Sequence, residues 1–172
     1  MFGGFKVLCL PFMRVPFFIL LLIVFNFSSH SQTRGGTLEG KVIKIVDGDT
    51  YDLLTSTKTV YRIRMNGIDA PEKGQAYGQK AKDYLGKLCM NQTIRIQWYS
   101  KDRNGRYIAD GYLKDGHSLS MEMIKAGFAW HFKKYSKDEV LDKAEIKARE
   151  EKLGLWADAN PEAPWDKRAR RK

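Results

Sequence analysis

The amino-acid sequence predicts an α+β fold in which five strands close into a small barrel and three helices pack against it. Two kinds of pattern predict this class. Several short runs alternate apolar and polar residues, which is the period of a half-buried strand. Longer segments repeat apolar residues at helical spacing. With 172 residues, of which 43% are hydrophobic, the chain is long enough for one domain with a substantial core.

Five runs predict the strands, and Gly- or Asp-containing turns separate most of them. The clearest run is "TVYRIRMN", whose apolar residues alternate with Arg62 and Arg64. A period of two places both arginines on one face of the strand and the apolar side chains on the other. The predicted strands are Leu38–Val46, Tyr51–Leu54, Thr59–Asn66, Thr93–Tyr99 and Tyr107–Leu113.

Three segments predict helices. The first is Gln75–Met90, the second is a short helix that Ser120 caps and Gly127 ends, and the third is Asp138–Leu153. The first three strands follow one another directly, and the first helix lies between the third and fourth strands. This is the element order of an OB-fold. An SH3-like barrel or another α+β arrangement is compatible with the same pattern.

The N-terminus has the pattern of a targeting segment. Lys6 and Arg14 precede thirteen mostly apolar residues, "VPFFILLLIVFNF", and a polar stretch of small residues follows. This predicts a secretory signal peptide over residues 1–31, because the apolar run is shorter than the roughly 20 residues that span a bilayer. The alternative is an uncleaved signal anchor. We therefore expect an exported protein, secreted or held in the periplasm or cell envelope.

The remaining chain divides into a folded domain over residues 37–158 and a tail, broken by prolines and then basic, over residues 159–172. Cleavage after Ser31 would remove Cys9 and leave Cys89 as the single cysteine, so no intramolecular disulfide is expected. We expect Cys89 to be a small buried apolar residue on the first helix.

The charge of the chain indicates a polyanionic partner. Lys and Arg total 30 against 20 Asp and Glu, a formal net charge of +10. Nucleic acid, anionic lipid and acidic polysaccharide are all compatible with this surplus. The alternative is a soluble protein that is basic without such a partner.

Two acidic groups interrupt this basic sequence. Asp47 and Asp49 follow the first strand in "IVDGDTYD", and Asp69 and Glu72 follow the third strand in "GIDAPE". Taken alone, Asp-Gly-Asp is typical of a turn. Antiparallel strand pairing can bring the two groups together, where the carboxylates would repel one another. A hard divalent cation with oxygen ligands, Ca²⁺ or Mg²⁺, would relieve that repulsion. No cluster of His or Cys suggests zinc.

Two arginines complete a possible phosphate site. Arg64 lies five residues before Asp69, and Arg106 follows the turn "DRNG". The guanidinium fork suits two phosphate oxygens at once. Beside a carboxylate-bound cation, the arginines would stabilise the extra charge of a phosphoryl transition state, and a free carboxylate could activate water. The alternative for each arginine is a solvated strand residue.

Four segments carry a resemblance to a known family. They are "VIKIVDGDTYDL", "YRIRMNGIDAPE", "DRNGRYIADGYL" and "AREEKLGLW". Over roughly Thr37 to Trp156 the sequence resembles the staphylococcal nuclease-like (thermonuclease) family. The resemblance implies an OB-fold barrel with three helices, and Ca²⁺-dependent hydrolysis of DNA and RNA that leaves 3′-phosphate ends.

The resemblance also assigns roles by position. Asp49 and Asp69 match the side-chain ligands of the metal, and Ala70 matches the residue that contributes a backbone carbonyl. Glu72 matches a general base or water-orienting group, and Asp47 an acid near the metal that need not touch it. Arg64 and Arg106 match the phosphate-binding arginines.

The sequence departs from the family pattern at two places. Ala70 stands where a threonine is common, which a backbone ligand tolerates. Asn104 stands where the family has an aromatic residue, so the contact of that residue with a terminal phosphate is in question. In the loop "WHFKKYSKDE", Tyr135 or Phe132 could stack on a base.

Two other classes of function are compatible with parts of the sequence. One is an OB-fold module that binds nucleic acid without cleaving it. The other is an envelope protein whose tail, "DKRARRK", binds anionic lipid or polysaccharide. The resemblance implies a monomer, with DNA and RNA as substrates and no obligate protein partner.

Overall fold

The computed structural model describes Met1 and residues 35–170 of the chain. The predicted signal segment lies outside the described residues, apart from Met1. The five long strands are β1 (Gly36–Asp47), β2 (Thr50–Thr55), β3 (Val60–Met65), β5 (Thr93–Lys101) and β6 (Tyr107–Tyr112). Two strands of two residues, β4 (Ile68–Asp69) and β7 (Trp130–His131), pair with each other. The five long strands form a closed barrel in the order β1-β2-β3-β6-β5. All neighbouring pairs in the barrel are antiparallel except β3 and β6, which are parallel.

The predicted α+β class and the five-stranded barrel are confirmed. The helices are α1 (Gly78–Cys89), α2 (Leu119–Lys125), α3 (Glu139–Glu150) and α4 (Pro164–Ala169), and a 3₁₀ turn covers Gly154–Ala157. The fourth helix was not expected from the sequence. Among the described residues, no helix has the length and apolar character needed to cross a membrane.

The cap of the second helix differs from the prediction. Ser118, not Ser120, is the N-cap, and its hydroxyl accepts a hydrogen bond from the backbone N–H of Met121. Ser120 is buried inside the helix and donates to the carbonyl of Asn66 at 3.1 Å. Two serines two residues apart give the same sequence signal, and only the position of the turn before the helix decides between them.

The barrel interior holds the main core. Side chains that alternate along the strands, such as Val42, Leu53, Ile63 and Ile96, are fully buried. Cys89 is also fully buried, as expected. These residues fix the register of the strands, and hence the ends at which the acidic residues lie.

A second apolar cluster lies outside the barrel and carries the C-terminal segment. It consists of Trp130, Ala148, Leu155, Trp156 and Ala163, with Tyr77 and Trp165 packed against it. Trp130 and Trp156 meet edge to face at 4.4 Å between ring centroids. The sequence separates residues 159–172 from the domain as a tail, but the structure packs Ala163 and Trp165 onto this cluster.

Candidate active site

One open cleft of about 1750 Å³ is lined by all nine residues that the sequence predicts for the functional site. Its size exceeds that of a typical small-molecule pocket and suits a segment of a polymer. The nine predicted residues that line it are Asp47, Asp49, Arg64, Asp69, Ala70, Glu72, Arg106, Phe132 and Tyr135.

The two aspartates that the resemblance assigns to the metal converge on one arginine nitrogen. Nη2 of Arg64 lies 3.1 Å from Oδ2 of Asp49 and 2.8 Å from Oδ1 of Asp69. The two carboxylates are buried, with 5% and 1% of each residue exposed. The end of the third strand therefore does approach the start of the second, as antiparallel pairing predicts.

The hairpin between β1 and β2 brings Asp49 to this position. A Cβ atom on Gly48 would lie 2.7 Å from the Cβ of Ala70, so only glycine allows this approach. The backbone N–H of Ala70 donates to Oδ2 of Asp49 at 2.8 Å. The hydroxyl of Thr50 donates to Oδ1 at 3.0 Å. The carboxylate of Asp49 is therefore oriented by its neighbour Thr50 and by the residue that follows Asp69.

Two carboxyl groups in the site hold their protons more tightly than usual. Burial, and then the charge of Asp49, raise the pKa of Asp47 to about 7. Burial also raises the pKa of Asp69, although Arg168 and Arg64 oppose the shift. Oδ1 of Asp47 accepts from the backbone N–H of Asp49 at 3.2 Å, and its position beside the metal stays a prediction.

Arg64 is held from two sides. Its Nη1 donates to the carbonyls of Met65 and Ile68, each at 2.9 Å, while Nη2 binds the aspartates. The side chain is only 11% exposed. The predicted alternation of β3 is confirmed, because Ile63 and Met65 are buried on the opposite face.

Glu72 pairs with a residue that the sequence reasoning missed. Oε1 of Glu72 accepts from Nη1 of Arg168 at 2.6 Å, and Oδ2 of Asp69 accepts from Nη2 of the same arginine at 2.5 Å. Arg168 belongs to α4, in the segment interpreted as a basic tail. The one hint in the sequence is the large aromatic residue Trp165 within that charge run, which indicates packing but not the partner of Arg168.

Arg106 lines the same cleft but touches neither aspartate. Its Nε donates to Oδ2 of Asp102 at 2.7 Å, and its backbone N–H donates to Oδ1. The backbone N–H of Asn104 also binds Oδ1 of Asp102. Within residues 35–170, Nη1 and Nη2 of Arg106 have no hydrogen-bond partner. They are available to a phosphate in the cleft.

The two candidate stacking residues differ in their surroundings. Phe132 stacks on Trp165 with centroids 5.2 Å apart and an angle of 5° between the rings, so one of its faces is covered. Tyr135 is 69% exposed and meets Phe132 edge to face. Tyr135 is thus the more accessible of the two, and base stacking by either residue stays a prediction.

The residues present fit a hard divalent cation. Asp49 and Asp69 offer oxygen atoms only, and guanidinium groups contact both carboxylates, so positive charge already lies beside them. No group of three or more His, Cys, Asp or Glu side chains forms a metal cluster in the described part of the chain. The set of two carboxylates and the backbone carbonyl of Ala70 stays a prediction.

Comparison with known proteins connects this geometry to a family. The family model described as "Staphylococcal nuclease homologue" matches residues 62–158. An "Uncharacterized endonuclease" of Escherichia coli is 40% identical over 128 residues, covering 74% of this chain and 83% of its own length. One of Haemophilus influenzae is 39% identical over 144 residues, covering 84% of this chain and 79% of its own length. A "Micrococcal nuclease" of Shigella flexneri is 35% identical over 136 residues, covering 73% of this chain and 78% of its own length. The chain therefore belongs to the staphylococcal nuclease family and is a nuclease of that family.

Proposed function

We propose that the protein is an exported, Ca²⁺-dependent nuclease that hydrolyses phosphodiester bonds of DNA and RNA with low sequence specificity and leaves 3′-phosphate ends. The observation that carries the proposal is the convergence of Asp49 and Asp69 on Arg64, in a cleft that Arg106 also lines. Carboxylates for a cation and arginines for a phosphate are the two halves of a metal-assisted phosphodiesterase.

Asp49, Asp69 and the backbone carbonyl of Ala70 would hold the cation. When bound, Ca²⁺ supplies positive charge that polarises the phosphate and stabilises the transition state. Oxygen ligands without imidazole or thiolate favour Ca²⁺ or Mg²⁺ over zinc. The family resemblance favours Ca²⁺ between these two.

The arginines would bind and polarise the scissile phosphate. Nη1 and Nη2 of Arg106, which have no partner among residues 35–170, could donate to two phosphate oxygens as a fork. Arg64 is already fixed by two backbone carbonyls. Its Nη2, which contacts both aspartates, would lie beside a phosphate oxygen bound next to the cation.

Glu72 would act on the water nucleophile. Its side chain is 34% exposed, so water reaches it, in contrast to the buried Asp69. A carboxylate in this position can accept a proton from water or orient it for attack on phosphorus. Tyr135, which is exposed, would stack on a neighbouring base and contribute about 1–3 kcal/mol without reading the sequence.

Export is proposed from the N-terminal sequence alone. The segment 1–31 has the charge and length of a signal peptide. N-terminal sequencing of the protein recovered outside the cytoplasm would give a new terminus near residue 32. A terminus at Met1 in a membrane fraction would instead support the signal anchor.

The central experiment incubates the purified protein with single-stranded DNA and, separately, RNA, in Ca²⁺ or in excess chelator. We expect cleavage of both substrates in Ca²⁺ and none in chelator. The products should resist tailing by an enzyme that requires a 3′-hydroxyl until a phosphatase removes the terminal phosphate. The Asp49→Asn/Asp69→Asn variant, which keeps size and shape but removes both charges, is the matched control and should be inactive.

Two results would overturn the proposal. Binding of single-stranded DNA without breakdown in Ca²⁺ would indicate a non-catalytic binding module. Cleavage that persists in chelator and in the double variant would place the reaction elsewhere on the protein.

A further inference from the structure

Helix α4 lies against the site, although it belongs to a part of the chain that the family model does not match. The match ends at residue 158, whereas α4 covers Pro164–Ala169. Arg168 on this helix bridges two of the carboxylates already described, Asp69 and Glu72. The matched segment therefore does not account for this helix, whose contacts are its own.

The C-terminal segment is fixed firmly enough to place Arg168. Ala163 is buried in the second apolar cluster, and Trp165 stacks on Phe132. The side chain of Gln75 donates to the carbonyl of Glu162 at 2.7 Å, and Lys167 donates to the carbonyl of Gly74 at 2.8 Å. These contacts join α4 to the loop that carries Glu72.

Both oxygens of Asp69 are occupied by guanidinium groups. Oδ1 accepts from Arg64 at 2.8 Å and from Nη1 of Arg168 at 3.3 Å, and Oδ2 accepts from Nη2 of Arg168 at 2.5 Å. A cation that takes Asp69 as a ligand would therefore compete with these guanidinium groups for the same two oxygens. Nη1 of Arg64 binds two backbone carbonyls, and that side chain is 11% exposed. The side chain of Arg168 is 39% exposed, and none of its side-chain hydrogen bonds in the described structure goes to a backbone atom.

We propose that Arg168 competes with the divalent cation for Asp69. Its guanidinium stabilises the buried carboxylate while the metal is absent, and it withdraws from Asp69 when the cation binds. Its bond to Glu72 can persist, because Glu72 is not one of the proposed ligands. The inference rests on the proposed Ca²⁺ site and adds that the C-terminal helix sets the affinity of that site.

The test measures Ca²⁺ binding to the metal-stripped full chain by isothermal titration calorimetry. Arg168→Gln removes the competing charge and should lower the Kd for Ca²⁺ by about tenfold, less than for a fully buried pair because Arg168 is partly exposed. Arg168→Lys keeps the charge but loses the fork, and should give a Kd between the two.

Arg170→Gln is the matched control. It removes an arginine next to the end of the same helix, whose partner is Glu162 rather than a site carboxylate. Its Kd should match that of the wild type to within about twofold, because an exposed charge is screened by salt. The control separates a direct contact from a general loss of positive charge.

Thermal unfolding gives a second readout that does not depend on activity. In chelator, Arg168→Gln should unfold at a lower temperature than the wild type, because Asp69 has lost a partner. In saturating Ca²⁺ that deficit should disappear, since the cation then replaces the arginine. Competition between Arg168 and Ca²⁺ requires that the variant be less stable than the wild type in chelator and equally stable in saturating Ca²⁺.

The outcomes distinguish the inference from the proposed function. If the wild type binds Ca²⁺ and Arg168→Gln binds it equally or more weakly, the competition is refuted while the Ca²⁺ site stands. If neither protein binds Ca²⁺ at millimolar concentration, the Ca²⁺ dependence and the inference are both refuted. Tighter binding by Arg168→Gln together with an unchanged Arg170→Gln supports the inference.

Discussion

Arg64 offers the sharpest test of the charge balance in the cleft. Arg64→Ala removes hydrogen bonds to the carbonyls of Met65 and Ile68, and it takes one cationic partner from both Asp49 and Asp69. Removing one partner of a buried ion pair costs about 3–5 kcal/mol. Asp69 retains Arg168 and Asp49 retains the N–H of Ala70. We therefore expect about 3 kcal/mol, the lower end of that range.

Arg62→Ala is the matched control for this measurement. Arg62 lies two residues earlier on the same face of the same strand, and its Nε binds Asp52 at 2.8 Å. It is 49% exposed, whereas Arg64 is 11% exposed. An exposed ion pair contributes about 1 kcal/mol or less. The two variants therefore differ in the burial of the arginine and in the number of its partners, which are two carboxylates and two carbonyls for Arg64 and one carboxylate for Arg62.

Urea unfolding followed by circular dichroism measures the free energy of unfolding of both variants in chelator. In saturating Ca²⁺ the loss in Arg64→Ala should shrink, because a bound cation neutralises the same carboxylates. Equal losses in the two variants, or a loss below about 1 kcal/mol in Arg64→Ala, would refute the reasoning that the buried acids depend on this arginine.

Three further variants or measurements test other parts of the structure. Arg106→Lys keeps the charge but loses the fork, so kcat should fall at least about 100-fold with an unchanged circular dichroism spectrum; near-full activity would remove Arg106 from the site. Burial acts to raise the pKa of Asp102, but hydrogen bonds from Arg106 outweigh it and lower the pKa. The stabilisation that the Asp102 carboxylate contributes is then present above about pH 4 and is lost as the pH falls through the lower pKa of this group in the folded protein. Asp102→Asn should accordingly have a lower free energy of unfolding than the wild type at pH 7, and this difference should disappear in acid. A difference that does not change with pH would contradict this. Burial raises the pKa of Cys89 to about 12, so in a Cys9→Ser protein at pH 8 a thiol reagent should label Cys89 only after unfolding in urea, and rapid labelling of the folded protein would show that the thiol is accessible.

The features predicted well from the sequence are those that local patterns determine. The alternation in β3 fixes which face carries Arg64, because the side-chain period of a strand is two. The Asp-Gly turn after β1 and Gly67 after β3 mark strand ends, and Asp49 and Asp69 follow these ends closely. Pairing of neighbouring strands brings those ends together. The barrel and the acidic pair could therefore be predicted without knowledge of distant contacts.

The C-terminal segment could not be predicted in this way. Helix α4 has only six residues, too few to show a helical period, and its sequence "PWDKRA" has the composition of a solvated charge run. Its position depends on Ala163 and Trp165 packing against Trp130, a residue more than thirty positions away in the sequence. Such a contact is tertiary, so no local pattern predicts that Arg168 reaches Asp69.

The charges in the cleft fit a cation that takes the place of Arg168 at Asp69. Three carboxylates, Asp49, Asp69 and Glu72, face two bound guanidinium groups, Arg64 and Arg168, which leaves one negative charge in excess. A divalent cation at Asp69 changes this to one positive charge in excess, because Arg168 keeps its bond to Glu72. A phosphodiester carries one negative charge and therefore balances that excess. The terminal nitrogens of Arg106, which have no partner among residues 35–170, can then donate to the phosphate oxygens.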